Sequence, residues 1–249
     1  MPMKITKAKL REWQACQDGY GWFINNFPDG EADYQVVLNK LADDGRASDA
    51  RWLMRKAGHD DSVITIDSLS GKDFFFSGSI VVAHGIEISG FLLAAGSIEA
   101  GAFIKAGGSI EAGGSIKAAW GIKAAWGIEA GGSIEAGEFI KAGESIKAGG
   151  LIEAGWSIKA GGLIKAGGSI EAGGLIEAGW SIEAGGFIKA AESIKAGESI
   201  KAGESIEAGN DFAVFAGLRV RVSKWRLFAK VSAKTKPENL FGGFWEEKQ

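Results

Sequence analysis

The chain has 249 residues, with 28 Lys and Arg against 31 Asp and Glu, 46% hydrophobic residues, 39 glycines, three prolines and one cysteine. A formal charge of −3 excludes a globally basic nucleic-acid binder, and one cysteine excludes a disulfide framework or a thiolate metal cage. No apolar run approaches the ~18 residues that span a bilayer, and the lysine-dotted start lacks a secretion signal's apolar core. A cytoplasmic protein without membrane contact is expected.

Residues 1–60 have a mixed composition that includes Trp13, Trp22 and Trp52. Tyr34, Val37, Leu38 and Leu41 follow the i, i+3, i+4, i+7 spacing of one buried helix face. Leu10, Trp13 and Cys16 fall three apart on a second helix, where Cys16 reads as a small buried residue. Ser48 and Asp49 are placed to cap a helix carrying Trp52 and Leu53. A module of three or four helices is expected, broken near Pro28-Asp29-Gly30 and Asp43-Asp44-Gly45. The segment holding Cys16, Gly19, Trp22 and Phe23 resembles a module that recurs on bacterial and phage proteins of unknown role. Residues 61–78, with Val63, Ile64, Ile66 and Phe74-Phe75-Phe76, are strand-like and expected to lead into the repeats after them and cap their open edge.

From Ile80 to Leu218 every sixth residue is large and apolar: 24 positions, 21 of them Ile and the others Leu92, Phe212 and Leu218. Between Ile98 and Ile206 the unit reads x-Ile-(Glu/Lys)-Ala-(Gly/Ala)-x. An α-helix advances about 100° per residue, so a six-residue repeat would wander around its surface. Read as strand, Ile and the Ala two residues later share one face, Glu or Lys takes the other, and Gly turns the corner. Residues 79–218 are therefore expected to form a mainly β fold, a parallel β-solenoid of six-residue sides with an Ile/Ala interior. This run resembles a hexapeptide β-helix, a class that includes left-handed acyltransferase solenoids.

The residue before each core position carries a second pattern. Phe91, Phe103, Phe139, Leu151, Leu163, Leu175 and Phe187 all fall in one alternate set, and the other set is Gly and Ser. Along the same set the charges alternate at twelve-residue spacing: Lys117, Glu129, Lys141, Glu153, Lys165, Glu177, Lys189. Stacking like on like favours a two-sided coil of twelve residues; the triangular coil of eighteen, usual for hexapeptide repeats, is the alternative. In the two-sided form the seven Phe/Leu residues make one apolar stripe, which suits self-pairing into a homodimer across a two-fold axis. Trp120, Trp126, Trp156 and Trp180 occupy corners, available to a partner or to the flanking module.

Residues 219–249 are read as a basic, aromatic C-terminal cap. Arg219, Arg221, Lys224 and Arg226, interleaved with Trp225 and Phe228, could grip phosphates, although an end cap's polar face explains them more simply. Of the two histidines, His84 sits at a corner where an acyl-transfer base could stand. His59-Asp60-Asp61 is best read as a helix-terminal loop. Fifteen Glu interleave with ten Lys between 87 and 207, which spoils a polyanion-mimicking surface. No metal or cofactor is expected. The preferred reading is a non-enzymatic scaffold that pairs with itself and binds another protein. A hexapeptide-type acyltransferase using His84, and a phage or bacterial inhibitor of a nucleic-acid enzyme, are the alternatives.

Overall fold

The computed structural model describes residues 3–248. Four helices come first: α1 (Lys7–Glu12), α2 (Gln17–Asn26), α3 (Tyr34–Asp43) and α4 (Ala47–Ala57). Strands Lys4–Thr6 and Glu31–Asp33 pair antiparallel beside them. Tyr34, Val37, Leu38 and Leu41 form the buried face of α3, as their spacing required. Two local expectations change. Cys16 is exposed and caps α2, its Sγ accepting from the Gly19 N–H at 3.3 Å. Ser48 and Asp49 lie inside the first turn of α4, where Asp49 pairs with the capping residue Arg46.

The rest of the chain is a parallel β-solenoid with three sides. Side 1 is a nine-stranded sheet that includes Val63–Ile66, Ser79–Val82, Ile98–Ala100 and Ile116–Ala118 and ends at Ile206–Glu207. Side 2 has ten strands, beginning Leu69–Gly71, Ile86–Ile88, Ile104–Ala106 and Ile122–Ala124. Side 3 has ten, beginning Phe74–Phe76, Leu92–Ala94 and Ile110–Ala112. Ile98 pairs with Ile116 and Ile116 with Ile134, so a neighbour in the sheet is eighteen residues away in the chain. Ten strands at ~4.8 Å spacing make a rod of about 45 Å. Its interior is the stacked Ile and Ala of all three sides, with the isoleucines from Ile104 to Ile200 fully buried. The chain is thus mainly β, with the small helical module at one end.

The two-sided, twelve-residue coil is not what forms, and the Phe/Leu pattern shows why. With eighteen residues per coil, a large residue every twelve falls on every second coil of each side. On side 2 the order is Gly85, Phe103, Gly121, Phe139, Ser157, Leu175. Large side chains lie over small ones: a Cβ on Gly85 would sit 2.8 Å from Phe103 Cζ, and one on Gly121 only 2.6 Å from Phe139 Cζ. The pattern is steric alternation, not a stacked stripe. On side 1 the small residue is Ser, and its hydroxyl accepts the backbone N–H one coil on, from Ser79 to Ser97, Ser97 to Ser115 and Ser115 to Ser133.

The boundaries shift as well. Residues 63–76 form the first coil rather than a separate lead-in, since Ile64 pairs with Ile80 and Leu69 with Ile86. After Ile206 the six-residue count breaks. Phe212 and Leu218 are exposed, and Val214 and Val231 take the buried seats against Ile194 and Ile200. A detour through the short helix α5 (Trp225–Phe228) precedes Lys230–Ala233, Leu240–Gly242 and Phe244–Glu247, which stack on sides 3, 2 and 3.

The helical module rests on the start of side 3. There the outward positions hold Phe75 and Leu93 in place of charges, and both are buried in the module's core. The Gln35 amide donates to the Phe75 carbonyl and accepts from the Ser77 N–H, both at 2.8 Å. Arg51 on α4 donates to Glu111 at 2.6 Å and lies 4.9 Å from the centre of the Phe91 ring. Burial pushes the Glu111 carboxyl above the ordinary glutamate range, and Arg51 only partly offsets this.

These contacts lead to two expected outcomes. Gly121→Leu should destabilise the chain by about 1–3 kcal/mol through overpacking, and Phe139→Ala in the same chain should recover most of that loss in denaturant melts. Coupling of Phe139 to Gly127, twelve residues away, would contradict the register. For Glu111, a folded-state pKa above the unfolded one means the ionised carboxylate penalises the fold. The penalty fades as pH falls through the folded value. Wild-type stability relative to Glu111→Gln should therefore rise as pH is lowered from neutrality towards about 4.3; a difference that is flat or moves the other way would overturn the assignment.

Candidate interaction surface

Each strand of the solenoid turns one side chain outward between Ile and Ala, so these residues form a column down each side. On side 2 the column reads Glu87, Lys105, Lys123, Lys141, Lys159, Glu177, Lys195, each cross-strand from the next. On side 1 it reads Glu99, Lys117, Glu135, Glu153, Glu171, Lys189, Glu207. Side 3 reads Glu111, Glu129, Lys147, Lys165, Glu183, Lys201. Opposite charges meet at several steps, with Lys105 and Glu87 at 2.6 Å and Lys165 and Glu183 at 3.2 Å.

Two longer runs break this rule. Four consecutive lysines succeed one another on side 2, and three consecutive glutamates on side 1. The outer lysines are compensated, Lys105 by Glu87 and Lys159 by Glu177 at 4.0 Å. Among the described residues no carboxylate pairs with Lys123 or Lys141. Like charges directly opposite on neighbouring strands destabilise a sheet, so both runs cost the isolated chain stability.

The corners that bound side 2 carry the tryptophans. Trp120 and Trp156 stand on the corner shared with side 1, Trp126 and Trp180 on the corner shared with side 3, and all four are exposed. Glu138 and Glu144 occupy the same two corners on the coil that carries Lys141. Trp126 also meets Phe91 edge to face, with ring centroids 5.1 Å apart. The corner between sides 3 and 1 is glycine on seven successive coils, from Gly78 and Gly96 to Gly186.

The expected Phe/Leu face does not assemble. Leu151 and Phe187 lie on side 1, Phe103, Phe139 and Leu175 on side 2, and Phe91 and Leu163 on side 3. Sequence reasoning missed the charge columns because they appear only when the chain is wrapped at eighteen residues. Arg219, Arg221, Lys224 and Arg226 are exposed on the detour before the last strands, where Arg226 lies 5.9 Å from the centre of the Phe244 ring.

His84 is exposed on the corner between sides 1 and 2, its Nδ1 3.1 Å from the Asp67 carbonyl oxygen. Asp60 accepts from the Ser62 N–H and from the hydroxyls of Ser62 and Ser77, which ties the end of the helical module to the first coil. Burial alone would raise the Asp60 carboxyl, but these hydrogen bonds hold it below the ordinary aspartate range. Within the module, Leu10, Trp22, Phe23 and Leu53 line an apolar cleft of about 230 Å³ that Cys16 and Asp49 also border. No sequence signal marked it, because its walls come from all four helices.

No helix among the described residues is long and apolar enough to cross a membrane. Residues 3–59 match the model of the YdhT N-terminal domain, a stretch that coincides with the helical module. No curated protein and no solved structure matches the chain.

The lysine run makes its cost measurable. Lys141→Glu turns two like-charged cross-strand contacts, to Lys123 and to Lys159, into two opposite-charged ones. At ~0.2–1 kcal/mol per cross-strand pair, the variant should be more stable than wild type by roughly 0.5–2 kcal/mol in low salt, with the gain shrinking in high salt. An equal or lower midpoint in low-salt urea melts would show that the run costs nothing.

Proposed function

We propose that the chain is a non-enzymatic β-solenoid scaffold that acts by association, using its long sides to hold a second copy and a macromolecular partner. The observation that carries this reading is the pair of like-charged runs on adjacent sides, compensated only at their ends, with exposed tryptophans on the corners that frame one of them. A monomer that worked alone would gain stability by alternating its charges, as most of the other strands do. Exposed indoles beside fixed charges are the usual composition of an interface core and its rim. On this reading residues 219–248 act as the cap of the far end, their last strands covering the open edges of sides 2 and 3.

A second reading keeps one specific support. The eighteen-residue coil is the form expected of a hexapeptide-type acyltransferase, and His84 stands on one of its corners. Its ring, however, touches a main-chain carbonyl oxygen, which leaves the transferase reading behind the scaffold.

The scaffold reading is tested by replacing Trp120, Trp126, Trp156 and Trp180 together with Ser and monitoring mass by sedimentation velocity from low to high micromolar protein. Wild type should grow in mass with concentration, and the variant, folded by circular dichroism, should associate less. A wild-type chain that stays monomeric throughout would remove self-association from the proposal. Acyl transfer by wild type that is lost in His84→Ala would favour the second reading.

A further inference from the structure

The charge order along side 2 is nearly the complement of that along side 1, and this leads to one specific pairing. Because both columns belong to one solenoid, they share a single axial repeat of ~4.8 Å. A second copy laid alongside can therefore keep register over many strands, as few unrelated partners could. We propose that the chain self-associates side to side, with the lysine column of side 2 in one copy lying along the glutamate column of side 1 in the next, the axes parallel and the copies staggered by one coil. This rests on the scaffold reading above and specifies which surfaces meet.

The stagger is set by the sequence. Shifted by one coil, Lys123 faces Glu135, Lys141 faces Glu153, Lys159 faces Glu171, Glu177 faces Lys189 and Lys195 faces Glu207. That is five consecutive opposite pairs. The series stops at Lys105, which would face Lys117 but keeps Glu87 as its own partner. Without the shift, Lys123 would face Lys117, Glu177 would face Glu171 and Lys195 would face Lys189. Each favourable pair joins residues twelve apart in the chain. Two of the five, Lys141 with Glu153 and Glu177 with Lys189, are steps of the twelve-residue charge alternation, which an eighteen-residue coil leaves unpaired within one molecule.

The corners agree with this arrangement. When parallel rods meet side 2 to side 1, the corner bearing Trp126 and Trp180 comes against the neighbour's all-glycine corner, where no side chain blocks approach. A nucleic acid is the less suitable occupant: Glu138 and Glu144 flank Lys141 at both corners and would meet a polymer charged at every unit. The contact is heterologous, so each copy offers one surface to the copy before it and another to the copy after. Species larger than a dimer are therefore expected.

The experiment uses the full chain in three forms: wild type, the triple variant Lys123→Glu/Lys141→Glu/Lys159→Glu, and the triple variant Glu135→Lys/Glu153→Lys/Glu171→Lys. Sedimentation velocity at about 50 mM salt, where surface charges are weakly screened, should show association by wild type that fades as salt rises. Each variant alone should associate at least about ten-fold more weakly, and an equimolar mixture of the two should recover association, since one then presents two acidic sides and the other two basic sides. Carbodiimide coupling of isotopically mixed wild type should join Lys195 to Glu207 between copies.

Wild type that remains monomeric overturns both this pairing and the self-association reading. Wild type that associates equally well after either triple substitution overturns this pairing alone. Coupling of Lys195 to Glu99 instead would overturn the parallel register, because the side 1 column reads the same in both directions. Salt-sensitive binding of a single-stranded oligonucleotide by a monomeric wild type, lost in the lysine variant, would assign the column to nucleic acid and overturn the proposal.

Discussion

The structure depends on one repeated contact, an isoleucine stacked on the isoleucine eighteen residues away. Each coil places three of them, one per side, against their counterparts above and below, and the alanines next to them fill the space between. Burying an Ile side chain contributes about 1.5–3 kcal/mol, so every coil adds a similar increment to a core that is continuous along the axis. Contacts reach only the next coil, which makes the architecture close to one-dimensional. The outward residues are thereby released from folding duty. Their order along each side is set by what they meet, and that is where functional information can accumulate.

Much of the fold was legible from residue spacing. A six-residue period excludes helix and specifies short strands with corners, and α3 is evident in its apolar positions. The coil length was not legible by the same logic, because the residues before each Ile repeat on a different period from the coil. Phe103 and Phe139 are two coils apart on one side, each lying over a glycine of the coil before. Spacing alone does not distinguish like stacked on like from large stacked on small; the two differ in which atoms touch, and only the pairing of strands decides that. A twelve-residue wrap turns the same residues into an apolar stripe and hides the charge columns.

The ends of the rod show what the repeat itself cannot supply. An open β edge invites further pairing, and the first coils depart from the repeat where the helical module sits. On side 3 Phe75 and Leu93 replace outward charges under α3 and α4, while Glu111, one strand further along, returns to a charge and is held by Arg51. At the other end the six-residue count fails after Ile206, and Val214 and Val231 recover the buried seats after insertions. The apolar residues at 212 and 218 keep the sequence period without the burial, so periodicity there is a poor guide to the core.

The lysine and glutamate runs call for a physical cause outside the repeat. The solenoid shows repeatedly that it can place Lys beside Glu on neighbouring strands, so seven residues in like-signed runs are not a limit of the architecture. A folded monomer gains nothing from them, since each like pair at this spacing opposes folding. They are favourable only where a surface of the opposite sign comes close and displaces solvent, and the same molecule carries such a surface on the adjacent side at the same pitch. Substitutions that alternate the charges should then raise the stability of the single chain while weakening its association, a combination that a purely structural role for these residues would not produce.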